Sequence, residues 1–299
     1  MILVTGGTGA IGHQLVKELV AKGKRVRVLT LHTDPLVYKV CDIAEVVYGD
    51  ITDAHSLQRA CTGVSTVYHL AAIILTSDDQ KFTAINTEGT RNLLAESKKA
   101  GVKHFIYVSS ASTVYQKPTA YAISKRAAED AVINGGIAFT IVRPTLVYDH
   151  DGGQEFLLFL AYLKKFPIVP FIGNGHSRKR PVYVGDLIAG LGAICDNKAA
   201  HGKMYNLSGG ETISMRNFAR LCLRILGMNR KPIVFIPVWI CTAAADFFAK
   251  RSKQPLLTRQ TIAGFTENAD LDPQDAIRDL GYAPKKVSDQ LPLCFNHNH

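Results

Sequence analysis

A tyrosine and a lysine stand four residues apart in the segment AYAISKRAAEDAV, as Tyr121 and Lys125. The segment has the pattern of a helix, so both side chains project from one face. A tyrosine acts as an acid or a base near neutral pH only when positive charge stabilises its phenolate, because its ordinary pKa is about 10. The pair therefore predicts proton transfer, with Tyr121 exchanging the proton and Lys125 lowering its pKa. Two unrelated residues on a helix surface would share this spacing, so the interpretation depends on the neighbouring motifs.

A serine-rich turn, SSAS, precedes this pair. The apolar run before it predicts a strand that ends with Ser110 at the carboxyl edge of a sheet, where open α/β sheets bind ligands. Ser112 lies further into the turn, where a small polar residue needs no catalytic explanation. We therefore expect Ser110 to steady the reacting oxygen as a catalytic residue and Ser112 to contact substrate.

A glycine-rich segment, VTGGTGAIG, joins the first apolar run to the first helical pattern. Gly6 allows a sharp turn, Gly9 lets the backbone approach a pyrophosphate, and Gly12 lets helix and strand pack closely. An anion would then lie at the helix N-terminus. The segment predicts a dinucleotide site, and the expected contacts of the cofactor with this turn also include Thr8, Ala10 and Ile11.

Short runs of Val, Ile and Leu alternate with amphipathic stretches over the first half of the chain. This pattern predicts an α/β fold of Rossmann type, with a doubly wound parallel sheet whose strands are buried on both faces. We expect a dinucleotide-binding domain over residues 1–150. Residues 151–295, with longer helices and Pro-rich joints, are expected to form a smaller, partly interleaved substrate domain that returns some segments to the sheet. Residues 296–299 look like a tag remnant.

The chain has 299 residues, 47% of them hydrophobic, and a formal net charge of +10. The charge suits an anionic ligand, and its even spread favours a solvated basic surface over nucleic-acid binding. Six separated cysteines without a CxxC motif predict neither a metal site nor disulfides, which suits a reducing cytoplasm. The oily stretch PVWICTAAADFFAKR, followed by further basic residues, is too short to span a bilayer, and we expect it to pack within the small domain rather than insert into a membrane.

Several motifs together resemble the extended branch of the short-chain dehydrogenase/reductase superfamily, the NAD-dependent epimerase/dehydratase family. They are TGGTGAIG, GDITD, HLAA, NTEGTRNLL, YAISK, RPTLVY, RPVYVGDL and YNLSGGETIS, and they extend over nearly the whole chain. The resemblance implies a nicotinamide cofactor, and Asn86 would organise a proton-relay water beside the lysine. Its other implied cofactor contacts are Asp50, Ile51, Leu70, Ala71, Ala72 and Pro144.

The end of the second strand decides between NAD and NADP, because an acidic residue there binds the ribose of NAD and a basic one the phosphate of NADP. This sequence has Thr30, Leu31 and His32. Neither an acid nor an arginine is present, so we expect NAD(P) binding with a preference for NADP, in which Thr30 and His32 contact the cofactor.

The resemblance also implies a nucleotide-sugar substrate held by Lys179, Arg180 and Tyr183 of the segment RKRPVY. No carboxylate occurs between Ser109 and Tyr121, which disfavours a dehydratase and leaves an epimerase or a reductase. The family's substrate-binding Ser or Thr aligns with Ala111, and only five residues separate Tyr115 from Tyr121. A binding protein without turnover is therefore the alternative. A homodimer is compatible with the sequence, which does not fix the oligomeric state.

Overall fold

The computed structural model describes residues 1–76, 78–150, 153–249 and 257–295. The strands are β1 (Ile2–Thr5), β2 (Val26–Thr30), β3 (Glu45–Tyr48), β4 (Thr66–His69), β5 (His104–Val108), β6 (Ala138–Pro144), β7 (Val147–Tyr148), β8 (Val169–Ile172), β9 (Arg178–Lys179), β10 (Val182–Tyr183), β11 (Lys203–Leu207), β12 (Ile213–Ser214) and β13 (Ile233–Ile236). The α-helices are α1 (Gly12–Ala21), α2 (Ala54–Cys61), α3 (Asp79–Phe82), α4 (Gly89–Lys99), α5 (Ala120–Ile133), α6 (Gln154–Lys165), α7 (Val184–Ile194), α8 (Met215–Ile225), α9 (Val238–Ala249), α10 (Arg259–Thr266), α11 (Gln274–Leu280) and α12 (Val287–Phe295).

The main sheet has the strand order β11-β6-β5-β4-β1-β2-β3, and every pair in it is parallel. The doubly wound α/β fold predicted from the alternating pattern is confirmed. The chain runs outward from β1 to β3 and then returns to β4 on the other side of β1. This reversal opens a crevice at the carboxyl ends of β1 and β4, which is where such sheets bind ligands.

A second hydrophobic core lies outside the main sheet and is built from the later helices. Its large buried side chains include Tyr148 of β7, Phe156 of α6, Phe171 of β8 and Phe218 of α8. Tyr183 packs against both this core and the core beneath the main sheet. The two parts therefore meet at the segment that carries the predicted substrate residues.

Segments from the C-terminal half return to the main sheet. Strand β11 pairs with β6 along its whole length, α7 packs on α1, and Ala276 of α11 joins the core of the main sheet. Among the helices of the described ranges, none has both the length and the apolar character needed to cross a bilayer. The predicted tag residues 296–299 and the basic residues that follow α9, Lys250, Arg251 and Lys253, lie outside the described residues.

Candidate active site

The turn between β1 and α1 is held close to the segment that follows β4. Gly6 has a φ of +68°, and a Cβ on it would lie 2.8 Å from the Ala71 nitrogen. A Cβ on Gly12 would lie 2.0 Å from the Gly6 oxygen. A Cβ on Gly9 would meet only the Gly6 oxygen, at 3.4 Å. The fold therefore requires glycine at positions 6 and 12, whereas Gly9 leaves room for a ligand.

The N-terminus of α1 is suited to an anion. Ile11 occupies the cap position and no side chain caps the helix. The His13 N–H donates to the Gly9 oxygen at 3.0 Å, which leaves the other N–H groups of the first turn to meet a ligand. Ala10 is half-buried beside them. The uncapped helix end and the open space at Gly9 fit a cofactor pyrophosphate.

Asp34 is brought to the end of β2, although it lies four residues beyond that strand in the sequence. Its Oδ2 accepts hydrogen bonds from Thr8 Oγ1 at 2.6 Å and from Thr30 Oγ1. Partial burial raises the pKa of Asp34, but the bonds from Thr30 and Thr8 outweigh it and hold the pKa below its usual value. Asp34 was not predicted, because only residues 30–32 were expected at the end of the second strand. The Asp-Pro pair at 34–35 indicates a turn, which can bring Asp34 back toward the strand.

The other side chains expected around the adenosine lie at the same edge of the sheet. His32 stacks on Tyr48, with ring centroids 4.4 Å apart. Asp50 Oδ1 accepts from the Thr52 nitrogen at 2.8 Å, and Ile51 is buried against Gly89. These contacts fix the loop after β3.

Residues Leu70, Ala71 and Ala72 follow β4 and face the glycine turn. The Ala71 nitrogen donates to Thr5 Oγ1 at 3.2 Å. His69, just before them, is fully enclosed, with Nδ1 2.7 Å from Thr5 Oγ1 and Nε2 2.9 Å from Thr90 Oγ1. Burial lowers the pKa of His69 to about 3, with a smaller contribution from Lys125. The imidazole is therefore neutral, and it links Thr5 of β1 to Thr90 of α4 through hydrogen bonds. The sequence analysis did not identify this role.

Tyr121 and Lys125 are both buried on α5, whose N-terminus is capped by Thr119. Lys125 Nζ donates to the Val108 oxygen at 2.9 Å and lies 4.2 Å from the centre of the Tyr107 ring. Burial lowers the pKa of Lys125 to about 7, against a raising contribution from Glu129. The pKa of Tyr121 is raised by burial and by the charge of Glu155, and a hydrogen bond with Ser110 opposes this. The lowering of the Tyr121 pKa expected from Lys125 stays a prediction.

The serine turn forms a single 3₁₀ turn, Ala111–Val114, capped by Ser110. Ser112 donates to Ser110 Oγ both from its nitrogen, at 3.1 Å, and from its Oγ, at 3.0 Å. Ala111 is buried between them. Of these side chains, Ser110 is the one that lowers the pKa of Tyr121.

Asn86 lies in a π-helical turn, Thr83–Glu88. Its Oδ1 accepts from the Ile73 nitrogen at 2.8 Å, and its Nδ2 donates to the Ile73 oxygen at 3.0 Å and to Ser124 Oγ at 3.1 Å. Asn86 thus ties the loop after β4 to α5, at Ser124, the residue that precedes Lys125. Its expected role with a relay water stays a prediction.

The active-site helix is also anchored to β6 through an ion pair that sequence reasoning did not find. Arg143 donates to both carboxylate oxygens of the buried Glu129, at 2.8 and 2.5 Å. A bidentate pair of this kind fixes orientation as well as distance. Pro144, at the end of β6, pairs in register with Leu207 of β11.

The basic residues expected to hold a diphosphate are already engaged. Lys179 is buried, and its Nζ donates to the Glu267 oxygen at 2.6 Å and lies 5.3 Å from the centre of the Tyr115 ring. Burial lowers the pKa of Lys179 to about 8, although nearby carboxylates oppose the shift. Arg180 Nε donates to Asp270 Oδ1 at 2.6 Å.

Tyr183 ends β10 and lies beneath Lys285, whose Nζ is 5.6 Å from the centre of the ring. Tyr183 and Lys179 therefore line the boundary between the main sheet and the second core.

A family model, described as the NAD dependent epimerase/dehydratase family, matches residues 2–208. The chain belongs to this family. The match covers more than half of the chain and includes the glycine turn, the serine turn and the Tyr121–Lys125 helix. The predicted resemblance is confirmed.

Relatives of this chain include proteins named as a hydroxysteroid dehydrogenase and a ceramide reductase. The 3 beta-hydroxysteroid dehydrogenase/Delta 5-->4-isomerase of Mycobacterium tuberculosis is 30% identical, over 98% of this chain and 89% of its own. The ceramide reductase of Caulobacter vibrioides is 34% identical, over 65% of this chain and 61% of its own.

Solved structures share the fold of this family member. A double mutant of a dTDP-glucose 4,6-dehydratase from Streptomyces venezuelae, with NAD bound, has a TM-score of 0.80 at 23% identity, over 100% of this chain and 97% of that chain. A UDP-glucuronic acid 4-epimerase from Bacillus cereus has a TM-score of 0.77 at 21% identity, over 98% of this chain and 97% of that chain.

Proposed function

We propose that this protein is an NAD-dependent dehydrogenase or reductase that transfers hydride at a secondary alcohol or ketone of an apolar substrate. The observation that carries the proposal is the burial of Tyr121 on α5, one helical turn from Lys125 and within reach of Ser110, which lowers the pKa of Tyr121. These side chains lie at the same sheet edge as the uncapped helix end and the open space at Gly9, which suit a pyrophosphate. A proton donor beside a dinucleotide site is the arrangement that reversible carbonyl reduction requires.

A nicotinamide cofactor held at the glycine turn, with its pyrophosphate beside Gly9, would supply or accept the hydride. In the reductive direction Tyr121 donates its proton to the substrate oxygen, and in the oxidative direction it removes the hydroxyl proton. Ser110 steadies the same oxygen by donating a hydrogen bond. Lys125, with a pKa of about 7, carries charge in the range where turnover is expected, and its protonated form favours the phenolate of Tyr121.

An apolar substrate is favoured by the pairing of the basic residues. Arg178 and Arg180 share Asp270, and the Lys179 ammonium already donates to a backbone carbonyl. Binding of a diphosphate would have to break these interactions. The names of the steroid dehydrogenase and ceramide reductase relatives agree with an apolar alcohol or ketone.

A nucleotide-sugar epimerase or reductase is the second candidate. Arg178 remains largely exposed despite its ion pair, and with Lys179 and Arg180 it places three cations at the position where the resemblance implies a diphosphate. A sugar nucleotide as substrate would displace Asp270 from these arginines.

Asp34 supports NAD as the cofactor. The expected preference for NADP rested on the lack of an acidic residue at the end of β2, but the Asp34 carboxylate bonds to Thr30 at that point. A 2'-phosphate placed there would be repelled, whereas a ribose hydroxyl could donate to the carboxylate.

The test is turnover of the purified protein with NADH or NADPH against steroid ketones, long-chain ketones and a nucleotide-sugar panel. Reduction is followed by the absorbance of the reduced nicotinamide, and epimerisation, which leaves the cofactor unchanged overall, by chromatography of the sugar nucleotides. Tyr121→Phe should reduce kcat by ~10²–10⁴-fold because it removes the transferred proton. Cofactor affinity measured by calorimetry should stay nearly unchanged. Tyr38→Phe, at an exposed tyrosine of the first domain, is the matched control.

The outcomes separate the candidates. Turnover of nucleotide sugars alone would replace the apolar substrate with the second candidate. Cofactor binding without turnover of any substrate, and without an effect of Tyr121→Phe, would favour the non-catalytic binding protein.

A further inference from the structure

Helix α9 is apolar on the side that faces solvent as well as on the side that faces the protein. Cys241 and Ala245 are buried, whereas Trp239 is 72% exposed and Phe247 is 52% exposed, with Ile240 exposed beside them. A surface helix of a globular protein ordinarily presents charged or polar residues to water. The outer side of α9 therefore has the composition of a surface that is covered.

Strand β13 leads directly into α9 and extends this surface. It pairs with β8 through its backbone, while Val234 and Phe235 remain exposed. The surface, called here the apolar face, comprises Val234, Phe235, Trp239, Ile240, Phe247 and Phe248. A continuous exposed patch of large apolar side chains is a signature of an interaction site.

A row of arginines borders the apolar face. Arg216, Arg220 and Arg224 recur every four residues on α8, opposite the buried side of that helix. The Arg216 guanidinium lies 5.2 Å from the centre of the Phe235 ring, which joins the row to the apolar face. Arg220 and Arg224 are exposed.

Arg220 and Arg224 also line a cavity of about 300 Å³, together with Lys231 and with Ile233 at the start of β13. No acidic side chain of the described residues lines this cavity. Within the same described ranges, neither Arg220 nor Arg224 forms a salt bridge. The arginine row thus offers cations without internal counter-ions directly beside an apolar surface.

We infer that the apolar face and the arginine row dock this protein on the surface of an anionic lipid bilayer. The aromatic side chains enter the boundary between headgroups and acyl chains, and the arginines bind headgroup phosphates. Charge selects this occupant over a second copy of the chain, because a symmetric contact would bring two arginine rows together. In this arrangement the apolar face lies on the surface of the bilayer. The inference is independent of the proposed reaction.

Trp239 is the only tryptophan of the chain, so its fluorescence reports the environment of the apolar face directly. Purified protein is titrated with phosphatidylcholine vesicles that contain phosphatidylglycerol and, separately, with pure phosphatidylcholine vesicles. We expect a blue shift of the emission and co-sedimentation with the anionic vesicles, both weakened by salt. Pure phosphatidylcholine should bind much less.

Two sets of variants separate the contributions of charge and apolar contact. Arg220→Gln/Arg224→Gln should weaken binding to anionic vesicles by roughly 30-fold, from two surface cations. The control Lys17→Gln/Arg25→Gln removes the same charge from an exposed part of the first domain and should bind as wild type. Trp239→Ser should also lower co-sedimentation, whereas Tyr38→Ser, at another exposed aromatic residue, should not. Circular dichroism verifies that each variant is folded.

The absence of a blue shift and of co-sedimentation with anionic vesicles would overturn the inference. Equal losses in the two charge variants would also overturn it, because binding would then follow net charge rather than this surface. A blue shift that grows with protein concentration in the absence of lipid, together with a dimer in sedimentation velocity, would assign the apolar face to a second copy instead.

Discussion

Ser110 and Ser112 form a hydrogen-bonded pair in which Ser110 is the acceptor. Both the backbone nitrogen and the hydroxyl of Ser112 donate to Ser110 Oγ. The proton of Ser110 is consequently directed away from Ser112 and is available to the Tyr121 hydroxyl or to a substrate oxygen. This polarity supports the catalytic role proposed for Ser110 and makes Ser112 its support.

Ser110→Ala should therefore lower kcat by ~10²-fold or more, as for loss of a donor to a reacting oxygen. Ser112→Ala should lower kcat by less than about tenfold, because Ser110 retains its own proton. Steady-state kinetics of the two variants in one assay tests this order. A larger loss for Ser112→Ala would reverse the roles.

Asp34→Asn tests the residue at the end of β2 that is proposed to select between NAD and NADP. It removes the negative charge but keeps the size of the side chain, so the affinity for NADPH should rise relative to that for NADH by about tenfold or more. Calorimetric titration with both cofactors measures the ratio. Asp53→Asn, which alters an exposed cap of α2, is the control. A wild-type protein that already prefers NADPH would contradict the role given to Asp34.

Local structure that depends on residue type and spacing could be predicted from the sequence, such as the turn at Gly6 and Gly12 and the placement of Tyr121 and Lys125 on one helix. The catalytic roles of that pair stay predictions. Asp34 and His69 could not be predicted, because each acts through partners from other elements. Lys179 shows a different limit: its charge suggested a ligand contact, which stays a prediction, and its ammonium donates to a carbonyl contributed by a distant segment. Charge alone does not reveal whether a cation already has an internal partner.

At the level of elements, the turn between β1 and α1 contains two kinds of glycine: those that the fold itself requires and one that leaves space for a ligand. Gly6 and Gly12 are enclosed by backbone atoms, and Gly9 is not. The short runs of Val, Ile and Leu recognised in the first half of the sequence form β1 to β6, because short β-branched segments between helices are typical of a parallel sheet. Helix α9 was expected to pack within the small domain, yet only part of its surface does so. Hydrophobicity alone did not indicate which side would be covered.

Gly9→Ala and Gly12→Ala should accordingly have different effects. Gly9→Ala should keep the melting temperature close to that of wild type but weaken NAD binding by at least about tenfold, since the methyl group occupies the ligand side of the turn. Gly12→Ala should destabilise the protein even without cofactor, because its Cβ would overlap the Gly6 oxygen. Thermal melts and calorimetry test the pair. Equal destabilisation by both changes would contradict the distinction.

Across the whole molecule, two buried histidines make stability depend on pH. Burial lowers the pKa of His69 to about 3 and that of His104 to about 4. Below about pH 6.5 the unfolded chain binds protons that the native state does not, so the free energy of unfolding falls as pH falls. For each histidine the slope approaches about 1.4 kcal/mol per pH unit until its native pKa is reached.

Urea unfolding at about pH 7 and about pH 5 should therefore show a smaller loss of stability in His69→Gln than in wild type, by about 1 to 2 kcal/mol. The same variant is expected to be less stable than wild type at about pH 7, where His69 is neutral and well bonded. If both proteins lose the same free energy between the two pH values, His69 is not a buried neutral group.

The pairing of β11 with β6 imposes an order of events on synthesis. Strand β6 ends at Pro144 and β11 ends at Leu207, so 63 residues are made between them. At about 5–20 residues per second, β6 has an unpaired edge for roughly 3 to 13 s on the ribosome. An open strand edge templates association with other chains. Nascent chains of this protein therefore pass through an interval in which chaperones, rather than the fold itself, must shield the growing sheet.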